Sequence, residues 1–81
     1  MPEYRYFEES GYYCFCEVHE ATPGVWHASV RFERKIFHTE QRTRIPGIRH
    51  KIKQDFGSSD EAMTAASVYA LECAAADETE L

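Results

Sequence analysis

The sequence predicts an α+β fold: a three-stranded antiparallel sheet with one C-terminal helix packed on one face, in the order β-β-β-α, with a candidate fourth strand at the N-terminus. Three observations carry this. Residues 24–32 (GVWHASVRF) alternate without a break, Trp26, Ala28, Val30 and Phe32 pointing one way and Val25, His27, Ser29, Arg31 and Glu33 the other. That is the period of a half-buried strand. Residues 12–19 and 48–56 alternate in the same manner. After Ser58 the spacing becomes helical, with no Gly or Pro between Ala62 and Ala76.

Taken in order, residues 4–8 are a short aromatic run suited to an edge strand, and Glu9-Ser10-Gly11 is a turn signal. Residues 12–19 put Tyr12, Cys14, Cys16 and Val18 on one face and Tyr13, Phe15, Glu17 and His19 on the other. Thr22-Pro23-Gly24 links them to the central strand as a hairpin. Two registers keep the apolar faces matched. One sets Val18 opposite Trp26, Cys16 opposite Ala28, Glu17 opposite His27 and Tyr13 opposite Arg31. The other sets Val18 opposite Ala28 and His19 opposite His27. The first is preferred, because the second needs a three-residue loop starting at Thr22, and a residue before proline resists the helical dihedrals such loops use.

Residues 34–47 (RKIFHTEQRTRIPG) have no clean period and carry four bases. They read as a long basic loop, with Ile36 and Phe37 extending the central strand or anchoring the loop, and Pro46-Gly47 as a turn. Connections of this length are more often functional or disordered than neutral. In residues 48–56, Ile48, His50, Ile52, Gln54 and Phe56 face inward, while Arg49, Lys51, Lys53 and Asp55 face out. Ser58-Ser59-Asp60-Glu61 fits a capping box, with Ser58 as N-cap and Glu61 reaching back. Ala62, Ala66, Tyr69, Ala70 and Cys73 then share one helical face, with Met63 and Ala65 beside it, and small residues there let the helix sit close to the sheet. Residues 77–81 are acidic and expected to fray.

The 81 residues make room for one small domain, residues 1–81. Five Tyr, five Phe and one Trp supply enough apolar bulk to fold without a metal or disulfide staple. Cys14 and Cys16, two apart on a strand, have β-carbons about 6.5 Å apart, too far for a bridge. Cys73 reaches either only by crossing the core, so all three read as reduced thiols of a cytoplasmic protein. The first ten residues have no basic start and no apolar run, unlike a signal peptide, and no stretch approaches membrane-spanning length.

The net charge of -5 is unevenly spread. Residues 1–30 hold five acids and one base, residues 31–53 eight bases and two acids, and residues 54–81 seven acids and no base. A basic middle between acidic ends fits a polyanion-binding surface. It also fits internal neutralisation, to which the larger weight is given.

One helix covers one face of the sheet and leaves the other in water. That open face carries Tyr13 and Phe15, then His27 and Arg31, then Arg49, Lys51 and Lys53, with Arg42 and Arg44 in the adjoining loop. Bases and aromatics on an open sheet face suit docking of a partner, or phosphate contact with ring stacking. The two strand cysteines share the apolar face with Val18 while His19 and His27 point away, and the chain lacks a Cys-x-x-Cys or His-x-x-x-His pair, so no metal site or cofactor is assigned. Cys73 and His50 are the one inward thiol–histidine pair and read as core residues, so no catalytic residue is assigned.

Residues 56–62 (FGSSDEA), followed by AASVYALECA, resemble the helix start of HicB-like antitoxin domains. With GVWHASVRF before them, they also resemble the three-stranded-sheet DNA-binding domains of plant ethylene-response factors and the arm-binding domains of tyrosine integrases. The second resemblance implies a sheet laid in the DNA major groove, with Arg31, Arg49, Lys51 and Lys53 at groove-facing positions and His27 beside them. The leading expectation is a non-catalytic binding module acting on a protein partner or a second copy through its open face and basic loop. A nucleic-acid binder is the alternative.

Overall fold

The computed structural model describes residues 2–40 and 44–81. Its elements are β1 (Glu3–Glu9), β2 (Tyr12–Thr22), β3 (Val25–Arg34), α1 (Lys35–Thr39), β4 (Ile48–Phe56) and α2 (Ser59–Ala75). The candidate N-terminal strand is present, so the sheet is a four-stranded antiparallel meander in the order β1-β2-β3-β4. Helix α2 packs on one face of it, chiefly over β2 and β3.

The core lies between α2 and the predicted apolar faces. Tyr12, Cys14, Cys16 and Val18 from β2 and Ala28, Val30 and Phe32 from β3 are buried against Ala62, Ala66, Ala70 and Ala74 of α2. The alanines recur every four residues, so they form one stripe, and side chains ending at Cβ bring the helix axis close to the sheet. Burial pushes the Cys14 thiol up to about 12 and raises that of Cys16, so both stay protonated inside the core. All three cysteines are free.

The local signals explain most boundaries. Ser10 and Gly11 both have positive φ (51° and 84°), the mirror-image two-residue turn that suits the twist of a hairpin. Ser58 Oγ accepts from the Glu61 N–H at 3.2 Å, as a capping box requires. The Glu61 carboxylate reaches back to the N–H of Gly57, one residue beyond the expected one.

Four expectations are corrected. The β2–β3 register is the second of the two, with Val18 opposite Ala28, His19 opposite His27 and Phe15 opposite Arg31. No three-residue loop is needed: Thr22 stays extended and pairs with Val25 across a Pro23-Gly24 turn, Gly24 taking φ 80°, and the slack appears as a bulge at Ala21. The 34–47 connection is not loop throughout, since α1 opens it and leaves Ile36 59% exposed rather than anchoring in a strand. Gln54 is exposed, because Lys53, Gln54 and Asp55 bulge opposite His27 and return Phe56 to the inner face.

The fourth correction is the tail. Residues 77–81 are docked, not frayed. The Glu78 N–H bonds to Cys73 O (2.8 Å) and the Asp77 N–H to Ala74 O (3.2 Å), a Schellman closure with Asp77 at the left-handed position (φ 56°). Asp77 accepts from the Tyr12 hydroxyl, Arg34 donates twice to Leu81 O (2.6 and 3.2 Å), and Thr79 is fully buried. His50 Nε2 lies 2.9 Å from Thr79 O, which can only accept. Nε2 therefore donates to it, and Nδ1 lies 2.6 Å from the Tyr69 hydroxyl. The inward His50 is thus held between α2 and the tail rather than paired with Cys73.

Candidate functional site

The face away from α2 is assembled by strand pairing. Tyr4 stands opposite Glu17 and Tyr6 opposite Phe15; Phe15 in turn stands opposite Arg31, and Arg31 opposite Arg49. Four residues distant in sequence thus form one row across the sheet: Tyr6, Phe15, Arg31, Arg49. A groove of about 400 Å³ runs along it, walled by Tyr4, Tyr6 and Phe15 on one side and by Arg31, Arg49 and the carboxylates of Glu17 and Glu33 on the other. The Tyr6 ring is 5.2 Å from that of Phe15 and 5.9 Å from that of Tyr13, a contiguous aromatic cluster. A second hollow of about 500 Å³ continues toward β4 between His19, His27, Lys51 and Lys53.

Of the residues singled out from the sequence, Tyr13, Phe15, His27, Arg31, Arg49 and Lys51 lie on this face, and Lys53 is exposed in the β4 bulge at its margin. Arg44 is exposed in the connection before β4, and Arg42 lies outside the described residues. Tyr4 and Tyr6 were missed. They alternate with Arg5 and Phe7, but only the register of β1 on β2 carries them to the groove.

The charges on this face are largely matched to one another. Glu33 accepts from Arg31 Nε (2.9 Å) and lies 2.8 Å from His38 Nε2. Arg49 donates to Ser29 Oγ at 2.9 Å and sits 3.8 Å from Glu17. His27 is 2.9 Å from Asp55. Lys35 binds Glu8 at 3.1 Å, with its ammonium 5.9 Å from the centre of the Tyr13 ring. Of the lysines and arginines on this face, Lys51 and Lys53 lack a carboxylate partner among the described residues. The Arg31 guanidinium also lies over the backbone of Gly47, in space a β-carbon would fill, so that glycine admits the arginine as well as the turn.

Burial works against ionisation of Glu33, but the hydrogen bonds and charges of Arg31 and His38 outweigh it and hold the carboxyl below its ordinary range. A carboxyl with a lowered folded pKa stabilises the fold above its unfolded value and loses that contribution as pH falls through the folded one. Glu33→Gln is therefore expected to cost about 1–2 kcal/mol at neutral pH, measured by urea unfolding, with the gap to the parent closing below the ordinary carboxylate range. A gap of the same size at about pH 3 would refute the pairing.

Among the described residues no three His, Cys, Asp or Glu side chains converge as a metal-holding group, and no helix is long and apolar enough to cross a membrane. Compared with protein-family models, curated proteins and solved structures, the chain matches none of them.

Proposed function

We propose that the chain is a non-catalytic recognition module that docks a protein partner through the open face of its sheet. The observation that carries this is the aromatic wall of the groove. Tyr4 and Tyr6 are 70% and 52% exposed and stand beside Phe15, while the neighbouring guanidinium groups are already matched by carboxylates. An aromatic cluster in water is costly for a small domain, and tyrosine with arginine is the pair that most often anchors protein interfaces. The partner this fits offers an apolar side chain to the groove and a mixed-charge rim to Glu17, Glu33, Arg31 and Arg49. The three free thiols suit a reducing compartment, and we place the module in the cytoplasm.

The test is site-directed photo-crosslinking in cells, with the photoreactive residue at Tyr6 and, as control, at Val68 on the exposed side of α2. The expected result is a discrete protein adduct from position 6 alone, lost with Phe15→Ser. Equal labelling from both positions sinks the reading.

One observation favours a nucleic-acid reader instead: Lys51 and Lys53 are unmatched and adjoin His27. That reading also carries the resemblance to sheet-type DNA-binding domains. Against it stand Glu17, Glu33 and Asp55 on the same surface, which lower the potential phosphate contacts need. Titrating the labelled protein with duplex DNA and with RNA separates the two. A nucleic-acid reader shifts the Lys51 and Lys53 amides in a salt-dependent manner; a protein-docking face leaves them still.

A further inference from the structure

The sheet has two free edges, and they are built differently. The β4 edge carries Lys51 and Lys53 and is broken by the bulge opposite His27, two devices that discourage another strand from pairing. The β1 edge has no bulge, and its charges are of both signs, Arg5 among Glu3, Glu8 and Glu9. Its seven residues pair with β2 without irregularity, from Glu3 opposite Val18 to Glu9 opposite Tyr12. They contain no lysine and no proline. Such an edge is a template for an added strand.

The backbone of β1 tells which groups are free. The two-residue turn at Ser10-Gly11 makes Glu9–Tyr12 the hydrogen-bonded pair beside it. By alternation, Arg5 and Phe7 also bond toward β2, while the N–H and C=O groups of Tyr4, Tyr6 and Glu8 point outward from the sheet.

We infer that β1 pairs antiparallel with β1 of a second copy, about a two-fold axis at Phe7, to give a continuous eight-stranded sheet. The register follows from side-chain chemistry. A joined sheet keeps its helices on one side only if odd residues face odd, so the axis must fall on a residue. An axis at Tyr6 sets Glu3 against Glu9 of the second copy, one at Arg5 sets arginine against arginine, and one at Glu8 sets glutamate against glutamate. Centring on Tyr4 leaves three residues of overlap. At Phe7, Arg5 faces Glu9 twice, Tyr6 faces Glu8 twice, and the two phenylalanines meet at the axis, where a non-hydrogen-bonded pair brings side chains closest. Arg5, Glu8 and Glu9 then each meet a partner of opposite sign or a hydroxyl donor, while Glu3 falls opposite Gly11, beyond the strand. The outward N–H and C=O groups of Tyr6 and Glu8 exchange bonds across the axis.

The helix side adds apolar cover. Arg5 donates to Ser67 Oγ at 3.0 Å, which marks the flank of α2 above β1. Leu71, four residues on along that flank, is 41% exposed. This inference does not rest on the open-face reading: in the joined sheet the two grooves lie side by side on the opposite surface.

The experiment is sedimentation equilibrium of the full chain from about 10 µM to about 1 mM, with circular dichroism as a check of folding. The parent should reach twice the monomer mass. Arg5→Glu sets glutamate against Glu9 and should weaken the dimer by about tenfold or more. Arg5→Glu with Glu9→Arg restores opposite signs in this register and should recover the parent dissociation constant. Glu8→Pro removes an outward N–H that the monomer fold does not use, and should abolish the dimer while the spectrum is unchanged. A parent that stays monomeric throughout, a dimer indifferent to Arg5→Glu and Glu8→Pro, or a double variant no better than the single one each overturn the proposal. With the dimer intact, position 6 crosslinks the two copies, so the absence there of any adduct to a different protein would overturn the open-face reading alone.

Discussion

Ala66→Leu is expected to destabilise the protein by about 3 kcal/mol. Ala66 is fully buried in the stripe with Ala62, Ala70 and Ala74, against a sheet face of cysteine, valine and phenylalanine side chains. Three added carbons must fit at a position that is already fully buried. Either α2 lifts, opening gaps along the whole stripe, or side chains of the sheet's inner face leave their rotamers. A domain of this length holds on the order of 4–12 kcal/mol in total, so the loss is a large share, and the melting temperature should fall by about 12–24 °C. Val68→Leu, at a position 47% exposed, adds one carbon in water and should move stability by less than about 0.5 kcal/mol. Thermal unfolding of the two variants decides it. If Ala66→Leu melts with the parent, the helix does not sit at alanine distance, and the account of the core is wrong.

That stripe was readable in the sequence, and so were the strands, because burial on one face imposes a period on the residues themselves. Ala62, Ala66 and Ala70 repeat at helical spacing; Trp26, Ala28, Val30 and Phe32 repeat at strand spacing. What the period cannot carry is anything that depends on one residue more or less. Both hairpin registers satisfied the alternation, and the choice fell to a bulge at Ala21, a residue with no feature that announces a bulge. The β4 bulge displaced Gln54 for the same reason. Helix α1 lacks a side-chain N-cap, and nothing in residues 35–39 marks its start. The site suffered most from this. Its members on β2, β3 and β4 were legible as the outward set of each strand, but the register decides which of them meet. In the expected pairing Tyr13 would face Arg31; in the observed one Phe15 does, and Tyr6 lines up beyond it. The groove is a product of register, as are its ion pairs.

The tail shows the same limit at a helix end, and its removal is the second large effect. A chain ending at Ala76 is expected to lose about 2–3 kcal/mol. Helices that stop in a left-handed residue usually announce it with glycine. Here Asp77 takes that conformation, and what holds it is tertiary: its carboxylate accepts from the Tyr12 hydroxyl and lies 3.5 Å from Arg34, whose guanidinium stacks 4.9 Å from the Tyr12 ring centre. Burial, and then the bond to Asp77, hold the Tyr12 hydroxyl above its ordinary pKa, with Thr79 and Arg34 pulling the other way. Deletion strips acceptors from Tyr12, Arg34 and His50 together and uncovers the apolar surface under Thr79 and Leu81. The chain entropy regained by five residues offsets much of this, which is why the net figure is modest. Thr79→Arg gives a second test. The Thr79 side chain is fully buried, so a long charged side chain cannot stay in its place and should cost about as much as the deletion. A tail free in solvent would answer neither change. A docked tail must lose stability on both, and urea unfolding of the two variants beside the parent reads them in one series.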